Sequence, residues 1–272
     1  MKLRIITALP LALVVAGLIW WAPQWLFLLA LVATVELSLY EYFEISRAAG
    51  LNAFPAVGYL AGGALCLAQT AEASKSGVLI FAVLLLAVFL ATVLALGRGA
   101  GLKEYLGSAA STVFGILYLG FTLSWLTPLR FSQGSEGRTL TLFLFLVVWA
   151  GDVFALMVGR SMGRRLLVPR ISPKKTVEGA LGGLIGSLLV AWGCSLWFWQ
   201  TADLKTVMLL AAIVAVAGQV GDLVESALKR SADLKDSGGL LPGHGGLLDR
   251  IDSLVFAVPA LWLAVALQRL VK

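Results

Sequence analysis

The stretch from Ser226 to Asp252, S-A-L-K-R-S-A-D-L-K-D-S-G-G-L-L-P-G-H-G-G-L-L-D-R-I-D, gathers cations, carboxylates, glycines and the only histidine of the chain beside strongly apolar segments. On a helix, Asp222, Glu225, Ser226 and Lys229 fall at spacings of three, four and seven, so one face carries two carboxylates, a hydroxyl and an ammonium. Asp249 and Asp252 share a face if a helix begins near Leu248. Between them, Gly238, Gly239, Pro242, Gly243, Gly245 and Gly246 allow a sharply turned loop and close approach of backbone to a ligand. These parts suit phosphoryl or nucleotidyl transfer. Carboxylates hold Mg²⁺, cations neutralise charge growing on a pyrophosphate leaving group, and loop amides reach the remaining phosphate oxygens. A plainer reading makes the glycines a tight interhelical turn and Lys229 and Arg230 a flank at the membrane interface. It leaves Asp222 and Glu225 within an apolar helix unexplained.

Two further constellations precede this one. In W-A-G-D-V-F-A-L-M-V-G-R, Asp152 sits inside an apolar run, where a charge costs about 3 kcal/mol or more, so it reads either as functional or as a packing aspartate paired to a cation. In G-R-R-L-L-V-P-R-I-S-P-K-K-T-V-E-G, Pro173 suits the first turn of a helix and Ser172 its N-cap, which predicts open backbone N–H groups beside Lys174, Lys175 and Thr176. Such an arrangement binds anions, although a basic loop next to a membrane also meets lipid headgroups.

The elements that must position these residues are membrane spans. With 60% hydrophobic and 13% charged residues, and a mean hydropathy of +0.93, the chain could not present a soluble surface. Apolar runs near 4–21, 24–43, 51–69, 77–97, 107–127, 139–160, 177–199, 205–227 and 251–270 predict an all-α, polytopic membrane protein of about nine transmembrane helices. The first run reads as a retained helix, since no small-x-small cleavage pattern follows it. Cys66 and Cys194 lie within apolar runs and read as core residues.

Basic residues cluster in alternate loops: Lys2 and Arg4, Arg47, Arg98 and Lys103, Arg160 to Lys175, and Lys229 to Arg250. The positive-inside rule puts these loops, and with them the candidate site, in the cytoplasm. Positive-inside bias alone could supply the net charge of +6, but the two late loops interleave their cations with carboxylates and glycines. No nucleic-acid-binding motif is present. Polarity divides the chain into residues 1–137, an almost purely apolar scaffold with Glu36, Glu41 and Glu44 as the main exceptions, and residues 138–272, which carry the chemistry and the loops 160–176 and 228–251.

S-x-L-K-R, K-D-x-G, P-x-H-G-G and D-R-I-D, at the spacing they have between Ser226 and Asp252, resemble the signature of the phosphatidate cytidylyltransferases, also called CDP-diglyceride synthetases. S-P-K-K-T-x-E-G and the intramembrane Asp152 resemble the same family, so the similarity covers roughly the C-terminal half, the N-terminal half being similar only in hydropathy. The resemblance implies that CTP and phosphatidate give CDP-diacylglycerol and pyrophosphate on a homodimeric enzyme of the plasma (inner) membrane, with Mg²⁺ and room for a second cation. It implies metal at Asp222 and Asp249, with Asp236 and Asp252 as further ligands or supporting carboxylates. Lys229, Arg230, Lys235 and Arg250 would hold phosphates, with Gly245 and Gly246 lending amides. Ser172, Lys174, Lys175 and Thr176 would meet either the triphosphate or the lipid phosphate. Glu225 would orient Lys229. His244 would bind phosphate or base, because a phosphomonoester with a second pKa near 6 needs no general base at neutral pH.

Two rivals use the same residues. A secondary transporter would carry intramembrane carboxylates as ion sites, but it would usually show repeated halves, which this sequence lacks. A cytidylyltransferase or CTP-dependent kinase acting on another lipid would share the nucleotide and metal chemistry.

Overall fold

The computed structural model describes residues 2–71, 77–97, 104–134, 136–239 and 245–271. Lys75, Arg98, Lys103 and His244 lie outside them. Among the described residues the architecture is all-α apart from one short hairpin. Helices α1 (Lys2–Trp21), α2 (Gln24–Ala48), α3 (Pro55–Ala68), α4 (Val78–Gly97), α5 (Tyr105–Phe131) and α6 (Glu136–Met162) are followed by strands β1 (Leu166–Val168) and β2 (Ser172–Thr176). Helices α7 (Val177–Trp197), α8 (Leu204–Ser231) and α9 (Leu248–Val271) complete the chain. Among the described residues, seven helices are long and apolar enough to cross a membrane: α2 and α4 through α9.

The third expected span differs from its sequence reading. Residues 51–54 stay non-helical and Pro55 opens α3 at its first turn, leaving 14 residues. At 1.5 Å per residue that is about 21 Å, less than the roughly 30 Å of a hydrocarbon core. Large apolar side chains such as Phe81, Leu85 and Phe89 on α4, and Leu181, Ile185 and Leu189 on α7, are exposed in the isolated chain, as lipid-facing residues must be.

The chain forms two compact units, residues 1–131 with 228–250, and residues 132–227 with 251–272. In the first, Val57, Ala61 and Leu65 of α3 pack with Ile80 and Ala87 of α4 and Ile116 of α5. Helix α2 buries Leu31, Val35 and Leu39, four residues apart, then Tyr42 and Phe43. The Tyr42 hydroxyl donates to Ser111 O at 2.8 Å, fixing α2 against α5. Helix α5 widens to a π-turn at Ile116–Phe121. Arg130, near its end, is buried and donates from Nε to Ile19 O, with its guanidinium 4.6 Å from the centre of the Phe131 ring.

In the second unit α6 and α7 touch through glycines. A Cβ on Gly179 would lie 2.9 Å from Ala155 O, one on Gly183 would lie 2.9 Å from Gly151 O, and Gly182 and Gly186 face Val158 and Phe154. Spacings of three and four place these glycines on one stripe, the small-residue packing that lets helices approach within a bilayer. Ser187 Oγ donates to Val147 O at 2.8 Å across the same seam, and Gln219 Nε2 donates to Ala180 O at 2.9 Å, tying α8 to α7. Helix α8 meets α9 where Gly221 lies against the backbone carbonyl of Asp252.

Gly183→Leu is therefore expected to destabilise this unit by about 1–3 kcal/mol, the usual cost of overpacking. Thermal unfolding in detergent checks this. Gly193, whose would-be Cβ meets nothing within 4 Å beyond its own helix backbone, is the control, and Gly193→Ala should melt no lower than the parent.

Candidate active site

Two polar centres occupy the two units. In the second unit, oxygens of Asp222 and Glu225 on α8 and of Asp252 on α9 all lie within 4.8 Å of one another. Helical spacing puts Asp222 and Glu225 on one face, and the glycine contact at Gly221 brings the α9 backbone close enough for Asp252 to join them. Glu225 is fully buried. The Ser253 backbone N–H donates to Asp252 Oδ1 at 2.6 Å. Lys175 reaches Asp222 with Nζ 2.6 Å from Oδ1. Beside this group, Asp152, Ser187, Gln219 and Ser253 line a small cavity, and Ser253 Oγ stands 3.5 Å from Asp152 Oδ1.

The strand β2 explains why only one of the paired lysines arrives. Leu166 pairs with Thr176 and Val168 with Ser172 in an antiparallel hairpin, so consecutive side chains point to opposite sides. Lys175 turns to Asp222, and Lys174 is exposed. This corrects the expected N-cap at Ser172. Ser172 and Pro173 are strand residues, and the cap is Thr176, whose hydroxyl accepts from Gly179 N at 3.1 Å. Glu178 in the first turn accepts from Arg164 N at 3.0 Å and Arg165 N at 3.1 Å, closing the hairpin onto the helix start. The helix begins four residues later than Pro173 suggests, because pairing with β1 uses the intervening backbone.

The first unit holds the other centre. Lys229 and Asp249, with side chains 11% and 12% exposed, pair at 2.5 Å from Nζ to Oδ1. Asp249 Oδ2 accepts from Gly246 N at 2.9 Å and from Ser237 N at 3.0 Å, and the Ser237 hydroxyl lies 3.1 Å away. Both oxygens of Asp249 thus hold protein donors. The amide of Gly246, expected at a phosphate oxygen, serves Asp249 here. Gly245 adopts φ +79°, a conformation that side chains disfavour, which is why the turn into α9 needs a glycine. Helix α8 ends by donation from Leu234 N to Lys229 O at 2.9 Å and from Asp233 N to Arg230 O at 3.2 Å, with Asp233 left-handed at φ 56°.

Arg230, Lys235, Asp236 and Arg250 are exposed, and Arg230 Nη1 donates to Leu234 O at 2.8 Å. Glu225, expected from sequence to orient Lys229, also stands in the carboxylate group. Glu41 of α2 had no site role in the sequence reading. It is 1% exposed and accepts from Ser237 Oγ at 2.9 Å, Leu247 N at 2.9 Å and Leu248 N at 2.8 Å. The available signal was a carboxylate near the end of an otherwise apolar span, where a charge needs a partner.

Three carboxylates grouped this closely repel unless a proton or a cation stands among them, and hard divalent ions take oxygen donors at about 2.0–2.6 Å. The donor set of Asp222, Glu225 and Asp252 fits such an ion. With a lysine at its edge, the group can bind cation and phosphate together.

The cytidylyltransferase family matches residues 2–268 of this chain. Among curated relatives, the phosphatidate cytidylyltransferase of Staphylococcus saprophyticus subsp. saprophyticus is 46% identical over 153 residues, 56% of this chain and 57% of the relative. That of Bacillus subtilis is 42% identical over 151 residues, 56% of each. The chain thus spans little more than half the length of these two relatives. The phosphatidate cytidylyltransferase of a Synechocystis species is 37% identical over 270 residues, 89% of each chain. From a match over nearly its whole length and this last similarity, the chain belongs to the cytidylyltransferase family.

Proposed function

We propose that this protein is a phosphatidate cytidylyltransferase. The observation that carries the reading is the group of Asp222, Glu225 and Asp252 with Lys175 against Asp222, in a chain of this family. A phosphate oxygen of phosphatidate attacks the α-phosphorus of CTP, the bond from that phosphorus to the β-phosphate oxygen breaks, and CDP-diacylglycerol and pyrophosphate result. Phosphatidate brings its own nucleophile, so the chain needs neither a covalent intermediate nor a catalytic triad.

Asp222, Glu225 and Asp252 would hold Mg²⁺, which when bound neutralises phosphate charge. Lys175, already drawn to Asp222, offers its ammonium to the same phosphates. The exposed cations Lys174, Arg230, Lys235 and Arg250 supply further phosphate contacts in the aqueous loops. Lys229 is held in one position by Asp249. Catalysis on this reading is positioning plus charge neutralisation, both prepared before substrate arrives. The distribution of basic residues supports a cytoplasmic site in a plasma-membrane protein, and the family resemblance supports a homodimer.

The test is purified protein in detergent with labelled CTP, Mg²⁺ and phosphatidate. The expected result is label in the lipid phase, release of pyrophosphate and loss of both on chelation. Intact CTP with phosphatidate, but label transferred to a polyprenyl phosphate, would move the reading to another lipid. Intact CTP with every lipid phosphate would sink it.

A further inference from the structure

The loop between α8 and α9 is fastened to a residue from the opposite end of the sequence. Glu41 stands 196 to 207 positions before its partners, yet it holds both ends of that loop, Ser237 on one side and Leu247 and Leu248 on the other. The two amides belong to the start of α9, where N–H groups have no partner within the helix and the helix dipole favours a negative charge. Glu41 supplies that charge from α2. Ser237 joins the two carboxylates: its hydroxyl lies 2.9 Å from Glu41 Oε2, while its backbone N–H holds Asp249 Oδ2 at 3.0 Å. Glu41, Ser237, Asp249 and Lys229 are thus linked in series.

The glycines record the same fastening. A Cβ on Gly238 would stand 2.8 Å from Glu41 Oε1, and one on Gly246 would overlap both the Glu41 carboxylate and the Ser237 hydroxyl. Gly239, between them and outside this contact, would meet nothing within 4 Å. The close-approach glycines therefore accommodate a carboxylate of the protein itself.

We infer that Glu41 is a positioning residue for the nucleotide-binding loop, acting through Ser237 and the first turn of α9 on Asp249 and so on Lys229. This rests on the reading of the protein as a cytidylyltransferase. Glu41 touches no reacting atom. Its role is to hold Ser237 and the first turn of α9 in place before the triphosphate binds, so its loss should weaken nucleotide binding more than lipid binding. A buried carboxylate held by three donors is worth several charge-assisted hydrogen bonds. The amide of Gln has one acceptor oxygen and would present N–H groups to donors.

Glu41→Gln should raise KM for CTP about tenfold or more, the scale of losing one hydrogen bond to a charged group, while KM for phosphatidate stays within about twofold. A merely structural role would instead lower the active fraction and leave both KM values unchanged. Ser237→Ala, which removes only the hydroxyl link, should shift KM for CTP in the same direction by about threefold. It keeps the proposal testable if Glu41→Gln does not fold.

A second measurement does not depend on activity. Gly239→Cys places an exposed thiol on the loop, and Cys66 and Cys194 are buried. Maleimide labelling at this thiol should accelerate at least about fivefold when Glu41→Gln is added, because a freed loop samples more open conformations. An unchanged KM for CTP in an active enzyme overturns the proposal whatever the labelling rate. If the parent protein transfers no CMP to phosphatidate, the functional reading fails separately. The labelling then decides alone whether Glu41 positions the loop, and an unchanged rate overturns it.

Discussion

Asp252→Asn should abolish nucleotidyl transfer while raising the melting temperature of the metal-free protein. Asp252 shares with Asp222 and Glu225 a group whose oxygens lie within 4.8 Å. At an effective dielectric constant near 20, two unit charges at that separation repel by about 3 kcal/mol. Asn keeps the shape and removes one charge, so the apo fold gains what the repulsion cost. Each kcal/mol relieved raises the melting temperature by about 2–4 °C in a chain of this size. Turnover should fall at least about 10²-fold, the scale of losing one preorganised electrostatic contact. Thermal unfolding with EDTA and with Mg²⁺ separates the two effects: the parent should gain more from Mg²⁺ than the variant does, by mass action. A variant that melts lower without metal, and gains as much from Mg²⁺ as the parent, would show that Asp252 holds the fold and no cation.

Asp249→Asn should have the opposite effect on stability and a similar one on activity. Here the carboxylate is paired with a nearly buried Lys229 and receives the amides of Ser237 and Gly246. Removing one partner of a buried ion pair is strongly destabilising, at a general cost of about 3–5 kcal/mol. A fall in melting temperature on the order of 10 °C follows. Activity should be almost lost, because the loop and the ammonium are displaced together, while the protein still inserts, since its apolar spans are unchanged. Replacing both partners, Lys229→Met with Asp249→Leu, should recover much of the stability and none of the activity. If Asp249→Asn turned over normally, neither a phosphate nor a metal role for this residue could stand. Asp249 and Asp252 are three residues apart on one helix, and a single melting experiment on each distinguishes a paired carboxylate from a repelled one.

Much of this was legible in the chain itself. Apolar runs identified the membrane class and most of the helices, and α9 begins at Leu248, the condition on which Asp249 and Asp252 share a helix face. Asp222 and Glu225 were expected on one face because a helix dictates neighbours at three and four residues. Ser172 and Pro173 misled, since a serine before a proline suits a helix start equally well when no strand is available to pair with it. Only the hairpin partner Leu166–Val168, a pattern too short to read by periodicity, decided otherwise. Asp152 also looked ambiguous from sequence, and the structure gives it Ser253 and a small, mostly apolar cavity for neighbours.

The sequence by itself determined that this is a membrane protein with a cation-rich, glycine-rich loop suited to phosphate chemistry, because hydropathy and helical spacing are local properties. Which carboxylate joins Asp222 and Glu225 was decided by tertiary structure alone. Glu225 and Asp252 meet because Gly221 lets two helices approach, and Glu41 reaches the start of α9 across some two hundred residues. Buried charges seek partners wherever packing brings them, and in a low-dielectric interior the pairing depends on proximity in space, which residue spacing does not encode.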